Sequence, residues 1–432
     1  MANGDALLVT SWNTGDNSAW LTDFDDTTWS KSFPAGRAGL CMQITGGGAG
    51  GNLGSYVEQG GSAPTVPSYV GASATGNDVS IFCRGTAGAL GIIRFYHRLT
   101  GFPAAGTTEA GRLIQVFVGA SPFGVIFQVS LSRTSSGNII YTLPGGATFD
   151  TGSATADSTW RRIELLLRYD TKSCHARMST VDSNTVLAES VQVSTNWANG
   201  TTLNKVRLGF MPNSEALQHA THTHQFADFT AINNQNTAIT TWLGDGKIRG
   251  PVTATGTGTH AEMCDDATPT TSGTSAFGNL TEAWPTPDQT SFNLPEVGFG
   301  SAPPSGLQRD AWAMGNSSGV TGQVIRWGLH TYAAGVTNTN LFFFAGLYSG
   351  GVWVEAQHFW TNSDTNWHYG MISGNIADTS TFDAAEVAYR RNVADAGNTN
   401  AVQMSAVQVE YEDDQDLTPS SITTERVYAY VS

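Results

Sequence analysis

Alternation between apolar and charged residues is strongest between positions 161 and 169. The apolar residues of this segment share one parity and are Ile163, Leu165, Leu167 and Tyr169. The charged residues on the other parity are Arg162, Glu164 and Arg168. Because successive side chains of a β-strand point to opposite faces, the segment is predicted to be a strand with one buried face and one solvent-exposed face.

The same alternation recurs upstream of this segment. Its apolar face is formed by Val125, Phe127, Val129 and Leu131. The turn residues at 135–138 then lead into an apolar segment at 139–141, as in a β-hairpin. The chain also has 49 glycines and only 13% charged residues, against about 25% in typical domains. These features predict an all-β protein.

The length of the chain, 432 residues, exceeds the roughly 250–300 residues at which one hydrophobic core stops growing. We therefore expect a jelly-roll sandwich at 1–238, a junction strand with an extended arm at 239–304, and a smaller β-sandwich at 305–432. The arm is expected because 253–304 is rich in Thr, Ser, Gly and Pro. One helix is predicted at 381–391, where Asp383 or Thr381 would cap its start.

Strand candidates are dense in both flanking regions. Those of the first region are 6–12, 39–44, 92–99, 112–118, 125–132, 139–143, 161–169, 175–179, 206–210 and 225–232. Those of the last region are 322–329, 341–347, 352–360, 369–374, 402–412 and 426–431. Their turn-bounded spacing is typical of sandwiches of two packed sheets.

Charge and hydropathy exclude several classes of partner. The formal net charge is 21 − 36 = −15, which would repel phosphate backbones, so no nucleic acid is expected. No apolar run approaches the roughly 20 residues that span a bilayer, so no membrane insertion is expected. The first residues, Met-Ala-Asn-Gly-Asp, lack the pattern of a secretory signal, from which we expect synthesis in the cytoplasm. The dispersed cysteines are expected to be free thiols.

Several segments of the first region resemble the concanavalin A-like, laminin G-type jelly roll. The resemblance is carried by the strand at 92–99, the following Gly101-Phe102-Pro103, and the later run Ser158-Thr159-Trp160-Arg161-Arg162-Ile163-Glu164-Leu165. The closing strand at 225–233 is similar to the last strand of that superfamily, although only one acidic residue, Asp228, remains of its usual acidic pair.

The next segment resembles a junction found in structural proteins of tailed bacteriophages. It reads Thr241-Trp242-Leu243-Gly244-Asp245-Gly246-Lys247-Ile248-Arg249-Gly250-Pro251. The resemblance implies a non-enzymatic structural protein on the virion exterior, assembled in the host cytoplasm, with no cofactor. It also implies a tail-associated position, with a capsid decoration protein or a carbohydrate-binding adhesion module as alternatives. The implied partners are other copies, neighbouring virion proteins and host surface glycan. Because the arm is poor in aspartate, no calcium role is expected there.

Two clusters could supply metal ligands. His219, His222 and His224 lie within six residues, and His222 and His224 share a predicted face with Asp228, so they are candidates for Zn²⁺ or Ni²⁺. Hydrogen bonding within a polar loop is the favoured interpretation, because no acidic or Cys ligand is close on the His222 side. The acidic turn Asp23, Asp25 and Asp26 offers oxygen ligands for Ca²⁺ but lacks the spacing of an ion-wrapping loop. The run from Glu412 to Asp416 is interpreted as solvated surface.

Catalytic patterns are weak in this sequence. Glycoside hydrolysis needs two carboxylates about 5–9.5 Å apart across a cleft, and neither Glu164 nor Glu355 has a second carboxylate on its strand face. No order of nearby Ser, His and Asp residues suggests a serine hydrolase. The aromatic residues Trp353 and Phe359, together with Trp284 in the arm, are the candidate binding residues. Flat apolar rings suit sugar binding, although such residues more often belong to a core.

Overall fold

The structure is a computed structural model, and it describes residues 5–13, 15–17, 20, 22–47, 53–60, 70–71, 82–103, 108–118, 124–181, 183–212, 222–233, 242–261, 264–265, 293–294, 309–314, 324–334, 341–349, 352–360, 367–372, 386–391 and 403–413. These residues form β-strands and their connections, which confirms the predicted all-β class. Within these ranges, no helix is long and apolar enough to cross a membrane.

Within its described residues, the first region contains sixteen strands. They are β1 (Asp5–Thr10), β2 (Thr22–Asp25), β3 (Trp29–Ser32), β4 (Met42–Gly46), β5 (Ser55–Gly60), β6 (Val70–Gly71), β7 (Leu90–Gly101), β8 (Glu109–Val118), β9 (Gly124–Arg133), β10 (Ile140–Thr142), β11 (Thr148–Asp150), β12 (Arg161–Arg168), β13 (Ser173–Thr180), β14 (Val186–Val193), β15 (Leu203–Pro212) and β16 (His222–Asn233).

Two antiparallel sheets of this region pack face to face as a jelly-roll sandwich. The first sheet has the order β14-β13-β12-β7-β16-β4-β3, and β1 also pairs with β16. The second sheet has the order β11-β10-β9-β8-β15-β5-β2. Apolar residues of alternating parity from both sheets, such as Phe95, Leu165, Phe127 and Leu208, form one continuous core. The predicted hairpin is present as β9 and β10, which pair through Leu131 and Tyr141.

Strand β16 changes its inward-facing parity at a β-bulge. Its first half pairs with β4 and its second half with β1, so both strands share one edge of β16. The register against β7 shifts between Ala227 and Thr230, and Asp228 has a φ of 48° at this point. Phe226 and Phe229 both join the core as a result, and Asp228 is moved to the outer face.

Ten strands lie in the described part of the second region. They are β17 (Lys247–Ala261), β18 (Cys264–Asp265), β19 (Asn293–Leu294), β20 (Arg309–Met314), β21 (Val324–Ala334), β22 (Leu341–Ser349), β23 (Val352–Trp360), β24 (Trp367–Ile372), β25 (Glu386–Arg391) and β26 (Gln403–Asp413). Together with β6 they form an 11-stranded sheet. The first half of β17 pairs with β26 and its second half with β20. The division at 238 and 304 stays a prediction.

Two predictions for this region are wrong. The predicted helix at 381–391 is the strand β25 where it is described, and this strand pairs with β20 and β22 on its two sides. Two neighbouring strands outweigh the weak local helix propensity of the segment. The extended arm predicted from residue 253 begins inside β17, which continues to Ala261. The strand candidate at 426–431 lies outside the described residues.

Strand β12 is buried on both faces, which corrects its predicted solvent-exposed face. Arg162 is 3% exposed, Glu164 1% and Leu166 6%. The prediction failed because alternation distinguishes the two faces of a strand without showing what covers each of them. Here the segment that follows β16 lies over the outer face, where the backbone N–H of Gly244 donates to Glu164 at 3.0 Å.

Candidate functional site

The segment after β16 crosses the outer face of the first sheet and is held there by buried polar groups. Asp245 accepts a hydrogen bond of 2.5 Å from the Tyr96 hydroxyl and one of 3.0 Å from Arg37 Nη2. The backbone N–H of Gly246 donates to the same Tyr96 hydroxyl at 3.0 Å. The N–H of Gly244 donates to Glu164 at 3.0 Å. The conspicuous Leu-Gly-Asp-Gly sequence is therefore a docking segment.

Strand β26 adds two carboxylates to the same surface. Glu412 Oε1 lies 2.8 Å from Arg94 Nη1, and both side chains are fully buried. Glu412 Oε2 accepts a hydrogen bond of 3.0 Å from the Thr230 hydroxyl. Glu410 accepts hydrogen bonds from the backbone N–H groups of Ser11 and Asn13 at 3.3 and 3.1 Å. The prediction that Glu412 begins a solvated run is therefore wrong for this residue.

We call this cluster the junction network. Its members are Arg37, Arg94, Tyr96, Asp228, Asp245 and Glu412. Arg37 lies 2.6 Å from Asp228 and stacks on the Tyr96 ring, with its guanidinium carbon 3.7 Å from the ring centre. Opposite charges in direct contact offset the cost of removing them from water.

Burial and neighbouring charges raise the pKa values of several members of the junction network, for different reasons. Burial raises the pKa of Asp228 above its ordinary value, against the opposing effect of Arg37. Burial also raises the pKa of Tyr96, so this hydroxyl stays protonated and can donate to Asp245. For Arg94, burial favours a lower pKa, but Glu412 and Tyr96 outweigh it and raise the pKa. Both arginines of the network therefore remain charged.

Two glycines explain the sequence of the docking segment. Gly244 has a φ of 75°, a backbone conformation that residues other than glycine rarely adopt. A Cβ atom at Gly246 would clash with the carboxylate of Glu412 and the guanidinium of Arg94. Glycine at these positions lets the backbone lie directly against the junction network.

A second candidate surface is the outer face of the second sheet. Its central row consists of Glu58, Arg207, Gln115 and Gln128, which are register partners on β5, β15, β8 and β9. We call this set the polar row. Arg207 donates two hydrogen bonds to Glu58, at 3.0 and 2.8 Å, and its guanidinium carbon lies 4.3 Å from the centre of the Tyr56 ring. Lys205 lies 2.6 Å from the same carboxylate.

A cleft of about 360 Å³ lies at one end of the polar row. It is lined by Gln128, Ser130, Thr142 and Gln192 together with the turn at 143–146. Of the described residues that line it, none is charged. Amides and hydroxyls beside apolar side chains can bind a neutral polar molecule.

The structure separates the predicted metal ligands. His222 and His224 lie inside the sandwich, where His222 contacts Glu109 at 3.2 Å and His224 contacts His97 at 3.1 Å. Asp228 lies on the opposite face because of the bulge in β16. His219 lies outside the described residues. Across the part of the chain that the structure describes, no group of three or more His, Cys, Asp or Glu side chains is arranged to hold a metal.

The carboxylates of the acidic turn in the first region already have partners. Lys31 Nζ lies 2.6 Å from Asp23 and 2.6 Å from Asp25. Asp26 accepts hydrogen bonds from the backbone N–H groups of Thr27 and Leu53 at 2.7 and 2.9 Å. An ammonium group thus occupies the position between the carboxylates where a calcium ion would be needed.

The structure describes little of the predicted binding residues. Trp353 and Phe359 lie on β23, opposite Tyr348 and Phe342 of β22. The structure describes the backbone of these two residues and not their side chains. Trp284 lies outside the described residues. The sequence reasoning did not find the junction network, because it assigned Glu412 to solvated surface and grouped Asp228 with His222 and His224. The available signal was complementary charge: arginines on β7 and glutamates on β26.

Comparison with known proteins gives structural matches only. No family model matches the sequence, and no curated protein matches it. Alginate lyase A1-II' of polysaccharide lyase family 7 is 6% identical, with a TM-score of 0.30, over 45% of this chain and 80% of that chain. The cellulose-induced protein Cip1 is 13% identical, with a TM-score of 0.30, over 52% and 96%. The alginate lyase AlyA1 from Zobellia galactanivorans is 9% identical, with a TM-score of 0.31, over 48% and 96%.

These matches correct the prediction that the chain is not an enzyme. That prediction excluded glycan-cleaving enzymes from a concanavalin A-like fold, whereas several of the matched structures are described as alginate lyases. At this degree of similarity the likeness concerns the fold, and it assigns no chemistry to any residue of this chain.

Proposed function

We propose that the protein is a structural component of the exterior of a tailed-bacteriophage particle, tail-associated, which packs against other copies and neighbouring virion proteins. The junction network is the observation that supports this proposal. It fixes the second region onto the jelly roll through Arg94–Glu412 and through the docking segment around Asp245. This segment is the one whose sequence resembles the junction of phage structural proteins. A rigid connection between two β regions suits a protein that works by packing in an assembly.

The test is whether the chain is part of the particle. Particles are purified by density gradient from lysates of the cells that produce the chain, and an antibody against it is applied for electron microscopy. We expect the chain to remain with intact particles, with label on the tail. Label on the capsid would assign it to capsid decoration. Absence of the chain from purified particles would overturn the proposal.

A carbohydrate-binding adhesion module is the second candidate, and the cleft beside the polar row favours it. Amide and hydroxyl groups of Gln128, Ser130 and Thr142 can exchange hydrogen bonds with sugar hydroxyls, while the apolar part of the lining contacts the ring. A glycan array probed with the purified full chain tests this candidate. Gln128→Ala is expected to weaken binding about tenfold, because one hydrogen-bonding amide is lost.

The matched control carries the same change on the other sheet. Gln43 hydrogen-bonds Gln225 on the first sheet, away from the cleft. Gln43→Ala should therefore leave glycan binding unchanged. Equal losses in the two variants, or no retained glycan at all, would remove this candidate.

A further inference from the structure

A chain of hydrogen bonds between titratable side chains runs through the core of the sandwich. The Tyr141 hydroxyl lies 2.9 Å from His97 Nδ1, and His97 Nε2 lies 3.1 Å from His224 Nδ1. All three side chains are fully buried. The far nitrogen of His224, Nε2, has no hydrogen-bond partner among the described residues. Tyr141, His97 and His224 belong neither to the junction network nor to the polar row.

The packing around the two histidines is largely aromatic. Phe210 stacks on His224 with ring centres 4.1 Å apart, and Phe226 lies 5.0 Å from His97. Such surroundings supply contact area to a neutral imidazole and no compensation for a charged one.

The charged groups that face the pair also disfavour a positive charge. Arg161, at the start of β12, lies against the Tyr141 ring at 5.3 Å and is itself paired with Asp157. On the other side, His222 stacks beside His224 with ring centres 5.6 Å apart. The carboxylate of this cluster, Glu109, hydrogen-bonds His222. Arg133 is the register partner of Glu109 on β9.

The number of protons that the two imidazoles can carry follows from their hydrogen bonds. In the neutral state the contact between the two imidazoles needs one proton, and the tyrosine hydroxyl satisfies the remaining nitrogen of His97. One further proton converts an imidazole into imidazolium, which has two donors and a full charge. None of the described carboxylates accepts a hydrogen bond from His97 or His224 to balance that charge. The folded sandwich therefore accommodates the neutral pair and opposes the charged one.

We propose that the His97–His224 pair makes the jelly roll acid-labile, so that the first region is closed at neutral pH and opens as the pH falls toward about 5. Burial, followed by Arg161, lowers the pKa of His97 to about 3. Burial, followed by the other two histidines, lowers the pKa of His224 well below its ordinary value. When the first region is open, both imidazoles return to a pKa of about 6.5. Between these values the open state binds more protons than the closed state, so acid favours opening.

The effect is large enough to measure by hydrogen exchange of the full chain. We call the equilibrium ratio of open to closed first region the opening constant. Between pH 7 and pH 5, one such histidine raises the opening constant about 25-fold, and two raise it about 600-fold. Exchange of β7 and β16 peptides, corrected for the intrinsic pH dependence of exchange, reports this constant. The comparison variant is His97→Phe/His224→Phe/Tyr141→Phe, which removes both imidazoles and leaves no unpaired hydroxyl. We expect it to lose most of the 600-fold change.

The control variant is His175→Gln. His175 is partly exposed and pairs with Glu189 on the outer face. This variant should keep the wild-type pH dependence. An opening constant that changes equally in the wild type and in the triple variant would overturn the proposal.

A second measurement needs no folded triple variant. Nitrogen NMR of labelled histidine distinguishes neutral from charged imidazole in the intact chain. We expect His97 and His224 to remain neutral in the closed protein at pH 5. Titration of both rings near pH 6.5 while β7 and β16 stay protected would overturn the proposal.

Discussion

Arg94 carries a full charge at a position that water does not reach. Its guanidinium donates to Glu412 at 2.8 Å, to Thr230 at 3.0 Å and to the carbonyl of Gly244 at 3.2 Å. Removing one member of such a pair leaves the other charge buried and uncompensated, which costs more than the pair contributes. The energetic importance of Glu412 therefore exceeds that of any exposed carboxylate.

Glu412→Ala is expected to lower the free energy of unfolding by about 3–5 kcal/mol, because Arg94 then remains buried without its counter-charge. Urea unfolding measures the change. The double variant Arg94→Met/Glu412→Leu should recover most of the loss, since it removes both charges together. Glu189→Ala, at a half-exposed pair with Arg177, is the control and should cost no more than about 1 kcal/mol. Equal losses at Glu412 and Glu189 would contradict the burial of the Arg94–Glu412 pair.

Gly246→Ala is expected to destabilise the protein by about 1–3 kcal/mol, because the new methyl group would force Glu412 and Arg94 apart. Thermal unfolding detects a loss of this size. Gly124→Ala is the matched control, since the nearest atom to its Cβ would be Val118 at 4.0 Å. If both changes were equally mild, the close approach of the docking segment to the junction network would be wrong.

At the scale of elements, β12 shows how the second region changes the energetics of the first. Alternation predicts that Leu165 and Leu167 contribute more to the free energy of unfolding than Leu166 does. In the structure Leu165 and Leu167 are fully buried and Leu166 is only 6% exposed, because the docking segment and its neighbours cover the outer face.

We therefore expect Leu166→Ala to cost about 2–5 kcal/mol, similar to Leu165→Ala and Leu167→Ala. Urea unfolding of the three single variants in the full chain gives the comparison. A much smaller loss at Leu166 would mean that its face of the sheet is open to water.

Local patterns predicted the sandwich and most of its long strands. The period-2 pattern of β12 and of β9 depends only on neighbouring residues, so it can be read from the sequence. Short strands such as β2 and β3 were missed, because four residues carry too little alternation to be recognised. The bulge at Asp228 also left no local signal, and it separated Asp228 from His222 and His224.

The sequence reasoning missed the junction network for a related reason. Arg94 and Glu412 are 318 residues apart, and each lies on a strand that looks half-exposed by its own alternation. Only the packing of one strand face against the other shows that both are buried. The helix predicted at 381–391 was wrong for a similar reason, because the pairing of β25 with β20 and β22 is a long-range contact.

At the scale of the whole molecule, chelation is expected to leave the melting temperature unchanged. Lys31 already lies between Asp23 and Asp25 of the acidic turn, and His222 and His224 face other core residues. Calorimetry before and after dialysis against EDTA makes the comparison. A metal held at 100 times its dissociation constant would add about 2.7 kcal/mol, which is easily seen. A melting temperature that falls with EDTA and recovers with one particular ion would reveal a site that these contacts do not show.

The distance along the chain between Arg94 and Glu412 also orders events at the ribosome. The jelly roll is complete once β16 has been made, and Glu412 lies 412 − 233 = 179 residues beyond the end of β16 at Asn233. At a synthesis rate of about 5–20 residues per second, Arg94 in the completed jelly roll therefore remains without Glu412 for about 9 to 36 s. During that interval the outer face of β7 and β12 is hydrated and carries charged side chains such as Arg94, Arg162 and Glu164. A nascent sheet of this kind discourages premature association with other nascent chains, since its uncovered face is ionic. The last strands to be made then displace that water.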